Sequence, residues 1–328
     1  MYMTSARPRK AAYLQITREC NNECLFCSNP QFKKNYGLNE IKNKIAALKK
    51  QDISEIILTG GEPTLVSFLP EVISFIQKNG IASRIITNGC ELENLCLAKK
   101  LFKSGLRDIN ISIHSDSSSI ADRLSQKKGH FKKAIKGLEN SLKVGFKVAL
   151  NSTINTLNCK NLSITAGFFI KAFPDIRHFV YNNLDPGKAD GEMNSRVVNN
   201  QWIVARYTDI ELELKKTVEL LRTHGKTMRI ERVPLCYMQG FEELSSETRK
   251  IVKNELYICS FISKKRMDKV RMVKPTKFRI KADCCVYCAV NRICAGVQKE
   301  YINMYGSQEL YPIFSDPNVI IKKIISAY

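Results

Sequence analysis

Between Tyr13 and Asn183 the sequence alternates short apolar runs with longer amphipathic ones, and this alternation restricts the fold more than any other feature. Residues 12–17 (AYLQIT), 55–59 (EIILT), 83–87 (SRIIT), 107–113 (RDINISI), 147–154 (KVALNSTI) and 177–183 (RHFVYNN) read as strands. Leu38, Ile41, Ile45 and Leu48 share one helix face. Further helices are expected near 68–80, 91–104, 131–144 and 162–172. Strands alternating with helices build βαβ units with right-handed crossovers and a parallel sheet. The expected fold is therefore α/β, a partial (β/α)6 TIM-like barrel, with chemistry at the C-terminal strand ends. After Asn183 the pattern changes. A helix near 209–222 ends at Gly225, then come a strand-like RIERVPLC, a helical 241–256, a basic stretch and a knot of cysteines. The expected division is a barrel at 12–224 and a smaller Cys-rich domain at 225–328.

A chain of 328 residues has room for both. With 44% hydrophobic and 25% charged residues it is globular rather than disordered. No apolar run is long enough to cross a bilayer. The first fifteen residues are basic but lack the apolar core of a signal peptide, so a cytoplasmic protein is expected. Twelve cysteines in that compartment are not a disulfide framework. Cys90, Cys96 and Cys159 are scattered and read as small buried side chains. The net charge of +21 favours anionic partners such as nucleotides, nucleic acid or an acidic electron donor, or is a solvated basic surface.

Two motifs carry chemistry. After the first strand, Cys20, Cys24 and Cys27 stand in C-x3-C-x2-C spacing, with Phe26 before the last. Zinc sites pair C-x2-C halves and close with four ligands. Three thiolates suit an iron–sulfur cubane that leaves one iron open. At the end of the second strand stand Gly60, Gly61 and Glu62; the glycines permit close backbone approach.

"CNNECLFC" and "GGEP", set in six βα units in this order, resemble the radical S-adenosylmethionine (SAM) superfamily over roughly residues 12–190. The resemblance implies that Cys20, Cys24 and Cys27 hold a [4Fe-4S] cluster whose open iron chelates SAM. Glu62 and the Gly60–Gly61 backbone would hold the SAM amino group, with the Phe26 backbone near the adenine. One electron then cleaves SAM to methionine and a 5′-deoxyadenosyl radical, which abstracts hydrogen from a substrate. Polar residues at the other strand ends would contact SAM or substrate: Thr87-Asn88-Gly89, Ser112, Asn151, Ser152, Thr153, Asn182 and Asn183, with Ser112 and Asn151 favoured. His114 either faces the substrate or is a satisfied structural residue.

The second knot, Cys284-Cys285-x2-Cys288-x5-Cys294, resembles the SPASM/twitch extensions that carry auxiliary clusters. The full pattern would place another cysteine where Gln298 stands. Cys236, Cys285, Cys288 and Cys294 make four ligands for one closed [4Fe-4S] cluster; Cys259 or Cys284 are alternatives to Cys236, and zinc is an alternative metal. From Lys264 to Lys281 nine residues are Lys or Arg against Asp268, and Arg229, Glu231 and Arg232 lie nearby. These read as a docking surface for an anionic substrate or a flavodoxin- or ferredoxin-like reductant, or as a solvated hairpin.

The resemblance implies a radical SAM enzyme acting on a peptide, as in maturation of ribosomally made precursors, although only about a dozen residues precede the first strand. A nucleotide or RNA substrate is the alternative, favoured by charge, but the C-terminal Gly-Gly signature of the molybdenum-cofactor cyclase is absent. A non-catalytic iron–sulfur or zinc protein binding nucleic acid is the third; Glu62 and the intact cysteine triplet argue against it. No cobalamin domain is evident.

Overall fold

The computed structural model describes residues 10–28, 35–186, 196–255, 257–260, 262, 271–276 and 278–326. The six expected strands form as β1 (Ala11–Thr17), β2 (Glu55–Gly60), β3 (Ala82–Thr87), β4 (Asp108–Ser112), β5 (Lys147–Ile154) and β6 (His178–Asn183). Neighbours pair in parallel and in chain order. The connecting helices are α1 (Leu38–Lys49), α2 (Leu69–Lys78), α3 (Leu95–Lys103), α4 (Ser118–Ser125), α5 (His130–Val144) and α6 (Leu162–Ala172). After them come α7 (Tyr207–Thr223) and α8 (Ser246–Val252). No helix among the described residues is long and apolar enough to cross a membrane.

Strand alternation sorts the side chains into two faces. Ala12, Leu14 and Ile16 of β1, Ile56 and Leu58 of β2, and Ile109 and Ile111 of β4 join one apolar core with Ile41, Ile45 and Leu48 of α1. Each such fully buried Leu or Ile side chain contributes about 1.5–3 kcal/mol. The opposite face carries the polar residues: Tyr13 and Gln15, Arg84, Asp108, Asn110 and Ser112, Asn151, His178 and Asn182 fall on the alternate positions, with Ile57, Ile86, Ala149 and Val180 among them. Arg84 pairs with Glu55 there at 2.9 Å.

The sheet does not stop at residue 224. β7 (Thr227–Glu231) extends it in parallel beside β6. On the other edge β8 (Tyr257–Ser260) runs parallel to β1, and β9 (Arg271–Val273) pairs antiparallel with β8. Among the described residues both edges stay unjoined, so the barrel is partial. Burial, and after it the charge of Glu231 on β7, pushes the Tyr13 hydroxyl on β1 up to about 12. Residues beyond the sheet form the ribbon β10 (Arg279–Ile280) and β11 (Val297–Gln298), which brackets the second cysteine knot, then α9 (Lys299–Tyr305) and α10 (Pro317–Ser326).

Candidate active site at the strand ends

The first cysteine loop leaves the C-terminal end of β1 and is laid against α4. Glu23 N–H donates to Ser125 O at 2.9 Å and Leu25 N–H to Leu124 O at 3.0 Å. A turn closes the loop, Cys27 N–H to Cys24 O at 3.1 Å, and Arg196 N–H caps Cys27 O at 3.0 Å. Cys20, Cys24 and Cys27 are all half-buried. Burial first, then the charges of Glu62 and Cys27, pushes the Cys20 thiol up to about 11. Burial also raises Cys24, with Cys27 and Cys20 adding to it and Arg196 opposing. The three thiols thus feel one another's charge, and Cys20 and Cys24 both feel the Arg196 cation. Among the described residues no three His, Cys, Asp or Glu side chains converge to hold a single metal ion. A lone zinc needs its sulfurs about 2.3 Å from one point; a cubane spreads its thiolates over separate irons.

Gly60 and Gly61 are required by the chain itself. The β1–β2 register shifts between Gln15 and Thr17, and the backbone of Thr17–Glu19 then crosses over the end of β2. Gly61 N–H donates to Thr17 O at 2.8 Å and Glu62 N–H to Glu19 O at 2.7 Å. A Cβ on Gly60 or Gly61 would lie under 3.0 Å from the Thr17 or Glu19 carbonyl oxygen, and Gly60 has φ +136°. The close backbone approach expected for a ligand is here made to the cysteine loop.

This crossing delivers Glu62, 1% exposed, to the floor of the site. Its Oε1 accepts from Thr64 N at 3.0 Å, Thr64 Oγ1 at 2.6 Å and Thr87 Oγ1 at 2.7 Å. Among the described residues its Oε2 accepts only from Asn88 N, at 2.7 Å. Burial raises the Glu62 carboxyl above its usual range, against the pull of these bonds. Each carboxylate oxygen has two lone pairs, so the remaining capacity lies on Oε2. The Thr87-Asn88-Gly89 rim, expected to touch SAM or substrate, is occupied in holding Glu62. Asn88 also reaches the cysteine loop, donating from Nδ2 to Asn21 Oδ1 at 2.6 Å.

Ser112 and Asn151 face each other across β4 and β5, with Asn151 Nδ2 3.3 Å from Ser112 Oγ. Asn182 of β6 continues the row, its Nδ2 donating to Asn151 Oδ1 at 2.6 Å. Ser152 and Asn183 are buried among the helix-side positions, away from this row. His114 is a satisfied structural residue. It is 9% exposed, its Nδ1 accepts from Thr153 N–H at 3.0 Å, and burial lowers its pKa to about 3. The Phe26 ring stands edge-on to it, centroids 4.8 Å apart.

In the second knot Cys236, Cys285 and Cys294 influence one another electrostatically; burial first, then these neighbours, raises Cys236 to about 12. Cys288 N–H turns back to Cys285 O at 3.2 Å. Cys284 instead points its thiol at Leu310 O, 3.5 Å away. Cys259 lies on β8 opposite Tyr13. Cys236 does not end a strand as expected: β7 stops at Glu231, and Cys236 sits in a single 3-10 turn, Leu235–Tyr237. Lys281 Nζ spans the knot to Asn291 O at 2.9 Å and Cys294 O at 2.7 Å.

The proposed basic docking surface changes character. Residues 263–270 and 277 lie outside the described residues. Arg279 is taken up by Glu247 at 3.1 Å. Arg229 and Glu231 lie on the inner face of β7, 3.7 Å apart, rather than on an outer surface. Arg232 follows the strand at φ +63° and reaches Asp185 at 3.8 Å. Cys159 is buried in the core, but Cys96 is exposed on α3 rather than buried. Cys90 is buried against His130, a contact that sequence reasoning missed along with the roles of Asn21, Asn22, Thr64 and Arg196. The Asn-Asn pair inside the cysteine motif was the available signal.

Residues 14–161 match the Radical SAM superfamily. Over 151 residues the chain is 32% identical to Fe-coproporphyrin III synthase of Methanosarcina barkeri, covering 45% of this chain and 37% of that protein. It is 31% identical over 158 residues to a probable GTP 3′,8-cyclase of Thermococcus kodakarensis, covering 47% and 50%. The matches thus span half or less of those relatives' own lengths. Streptococcus suis SuiB bound to its precursor peptide SuiA superposes over 93% of this chain and 75% of its own, with a TM-score of 0.63 at 15% identity. The cysteine loop and the buried Glu62 lie together within residues 14–161, the stretch that matches the Radical SAM superfamily.

Proposed function

We propose that this chain is a cytoplasmic radical SAM enzyme that acts on a peptide. The observation that carries the class is the meeting of the Cys20–Cys27 loop with Glu62, which lies near enough to raise the Cys20 pKa. Three clustered, half-buried thiols beside a carboxylate with one oxygen open to a further donor fit a [4Fe-4S] cluster with SAM on its free iron. When bound, that cluster supplies the electron that cleaves SAM to methionine and a 5′-deoxyadenosyl radical, which takes hydrogen from the substrate. The protein's own part is positional. Cys20, Cys24 and Cys27 hold the irons. Glu62 Oε2 receives the SAM ammonium, whose charge offsets the cost of burying the carboxylate. The Phe26 backbone borders the adenine, and Ser112, Asn151 and Asn182 offer hydroxyl and amide groups to the ribose or carboxylate. Cys236, Cys285, Cys288 and Cys294 hold a second, closed [4Fe-4S] cluster in a SPASM/twitch-like module, fed by a flavodoxin- or ferredoxin-like reductant; zinc is the competing occupant.

The peptide reading draws support from the likeness to SuiB over 93% of this chain, which includes residues beyond 14–161. A nucleotide substrate is the second reading, favoured by the GTP 3′,8-cyclase among the sequence relatives. The class is tested by anaerobic reconstitution, reduction and addition of SAM, with 5′-deoxyadenosine as readout. Absence of product from a fully loaded protein refutes the reading, as does undiminished product from Cys24→Ala. GTP that raises the melting temperature at millimolar concentration favours the nucleotide reading over the peptide one.

A further inference from the structure

His130 belongs neither to the cysteine loop nor to the strand ends that hold Glu62, yet it touches both sides. It is the first residue of α5 and 4% exposed. Its Nδ1 lies 3.1 Å from the Asn22 side-chain nitrogen and 3.1 Å from the Cys90 sulfur. An amide nitrogen can only donate, so the Asn22 contact is a hydrogen bond in the tautomer that keeps the ring proton on Nε2 and leaves Nδ1 as acceptor. Each of the two neighbours leads into the site. Asn22 stands between Cys20 and Cys24, and its backbone N–H hydrogen-bonds the Cys20 sulfur. Cys90 N–H donates to Asn88 Oδ1 at 3.0 Å, and Asn88 N–H holds Glu62 Oε2. One ring nitrogen therefore joins the thiol side to the carboxylate side. The ring is itself fixed from behind: Asp122 accepts from Gly129 N–H at 2.6 Å and Phe131 N–H at 2.9 Å, clamping the backbone on both sides of His130.

We propose that His130 is a positioning residue that sets the separation between the Cys20 sulfur and the Glu62 carboxylate, so that one SAM molecule reaches the open iron and Glu62 together. This rests on the function proposed above. Groups that orient metal ligands from behind typically change affinity or activity 10–100-fold.

His130→Leu removes the acceptor at similar bulk, and His130→Asn places an amide oxygen near the lost Nδ1. Each protein is loaded anaerobically and its iron counted. SAM is then titrated against the electron paramagnetic resonance spectrum of the reduced cluster, giving an affinity per loaded cluster; denaturant unfolding is followed alongside. His130→Leu should weaken SAM binding about tenfold or more per loaded cluster, with His130→Asn recovering most of it. Lower stability with unchanged affinity per cluster overturns the proposal, as does an Asn variant no better than Leu. Should His130→Leu fail to fold, Asn22→Ala severs the same link from the other end, and native affinity there also overturns it. A native protein whose loaded cluster ignores SAM refutes the parent reading, and this one with it.

Discussion

Gly61→Ala separates two reasons for a glycine pair beside a cofactor. If the pair serves only a bound ligand, alanine leaves the ligand-free protein unharmed. The structure says otherwise. The new methyl would fall under 3.0 Å from the backbone carbonyl of Glu19, an atom that cannot rotate away. The crossing must open, and with it go the 2.8 Å bond from Gly61 N–H to Thr17 O and the 2.7 Å bond from Glu62 N–H to Glu19 O. Each bond is worth about 1 kcal/mol net, and forced overpacking costs about 1–3 kcal/mol. The loss should total about 3–5 kcal/mol, a large share of a domain stability of about 5–15 kcal/mol. Gly80→Ala is the control. That residue has φ +72° but nothing within 4 Å of the place its new methyl would take, so only the left-handed backbone cost of about 1–2 kcal/mol applies. Urea unfolding of the iron-free, reduced protein by circular dichroism measures both. A Gly61→Ala loss no larger than that of Gly80→Ala refutes the steric reasoning and returns the glycines to the cofactor.

Thr87→Val removes one of three donors to Glu62 Oε1; SAM affinity should fall several-fold while iron content stays native, and unchanged affinity by titration counts against the Glu62 network. His114 should make the fold acid-sensitive. Its folded pKa of about 3 lies below the unfolded value of about 6.5, so the unfolded chain binds the extra proton, and stability falls as pH drops through 6.5 towards 3. By pH 5 the share of His114 is about 2 kcal/mol, and a His114→Gln variant whose stability falls just as steeply between pH 7 and 5 contradicts the assignment. In the second knot, Cys284→Ala should keep about eight irons per chain whereas Cys236→Ala should fall towards four; iron analysis giving the reverse exchanges their roles.

The barrel strands were readable because each is a short run with apolar residues at its centre, set between longer amphipathic stretches. β5 and α6 begin and end where the spacing places them, at Lys147–Ile154 and Leu162–Ala172. β8 and β9 escaped notice for a different reason. YICS and RMV are too short to show a period, and β8 finds its partner β1 about 240 residues away, where no local pattern can announce it. α4 was missed because SSIADRLS carries three serines in eight residues, and Ser favours caps and turns over helix interiors.

The site shows the same division between type and direction. Cysteine spacing and an acid after β2 were visible because chemistry dictates the residue types. The direction of a polar side chain at a strand end is set by its neighbours, so the sequence does not show that the Thr87 hydroxyl and the Asn88 backbone N–H hold Glu62. Those bonds help to explain how the site gains its rigidity. The β1–β2 bulge, the Gly61 and Glu62 backbone bonds and the Asn88–Asn21 bond bind the two halves of the site to each other through protein groups alone. The spacing between thiols and carboxylate is therefore prepared before any cofactor arrives, which lowers the ordering cost of binding SAM and keeps the reacting groups in register.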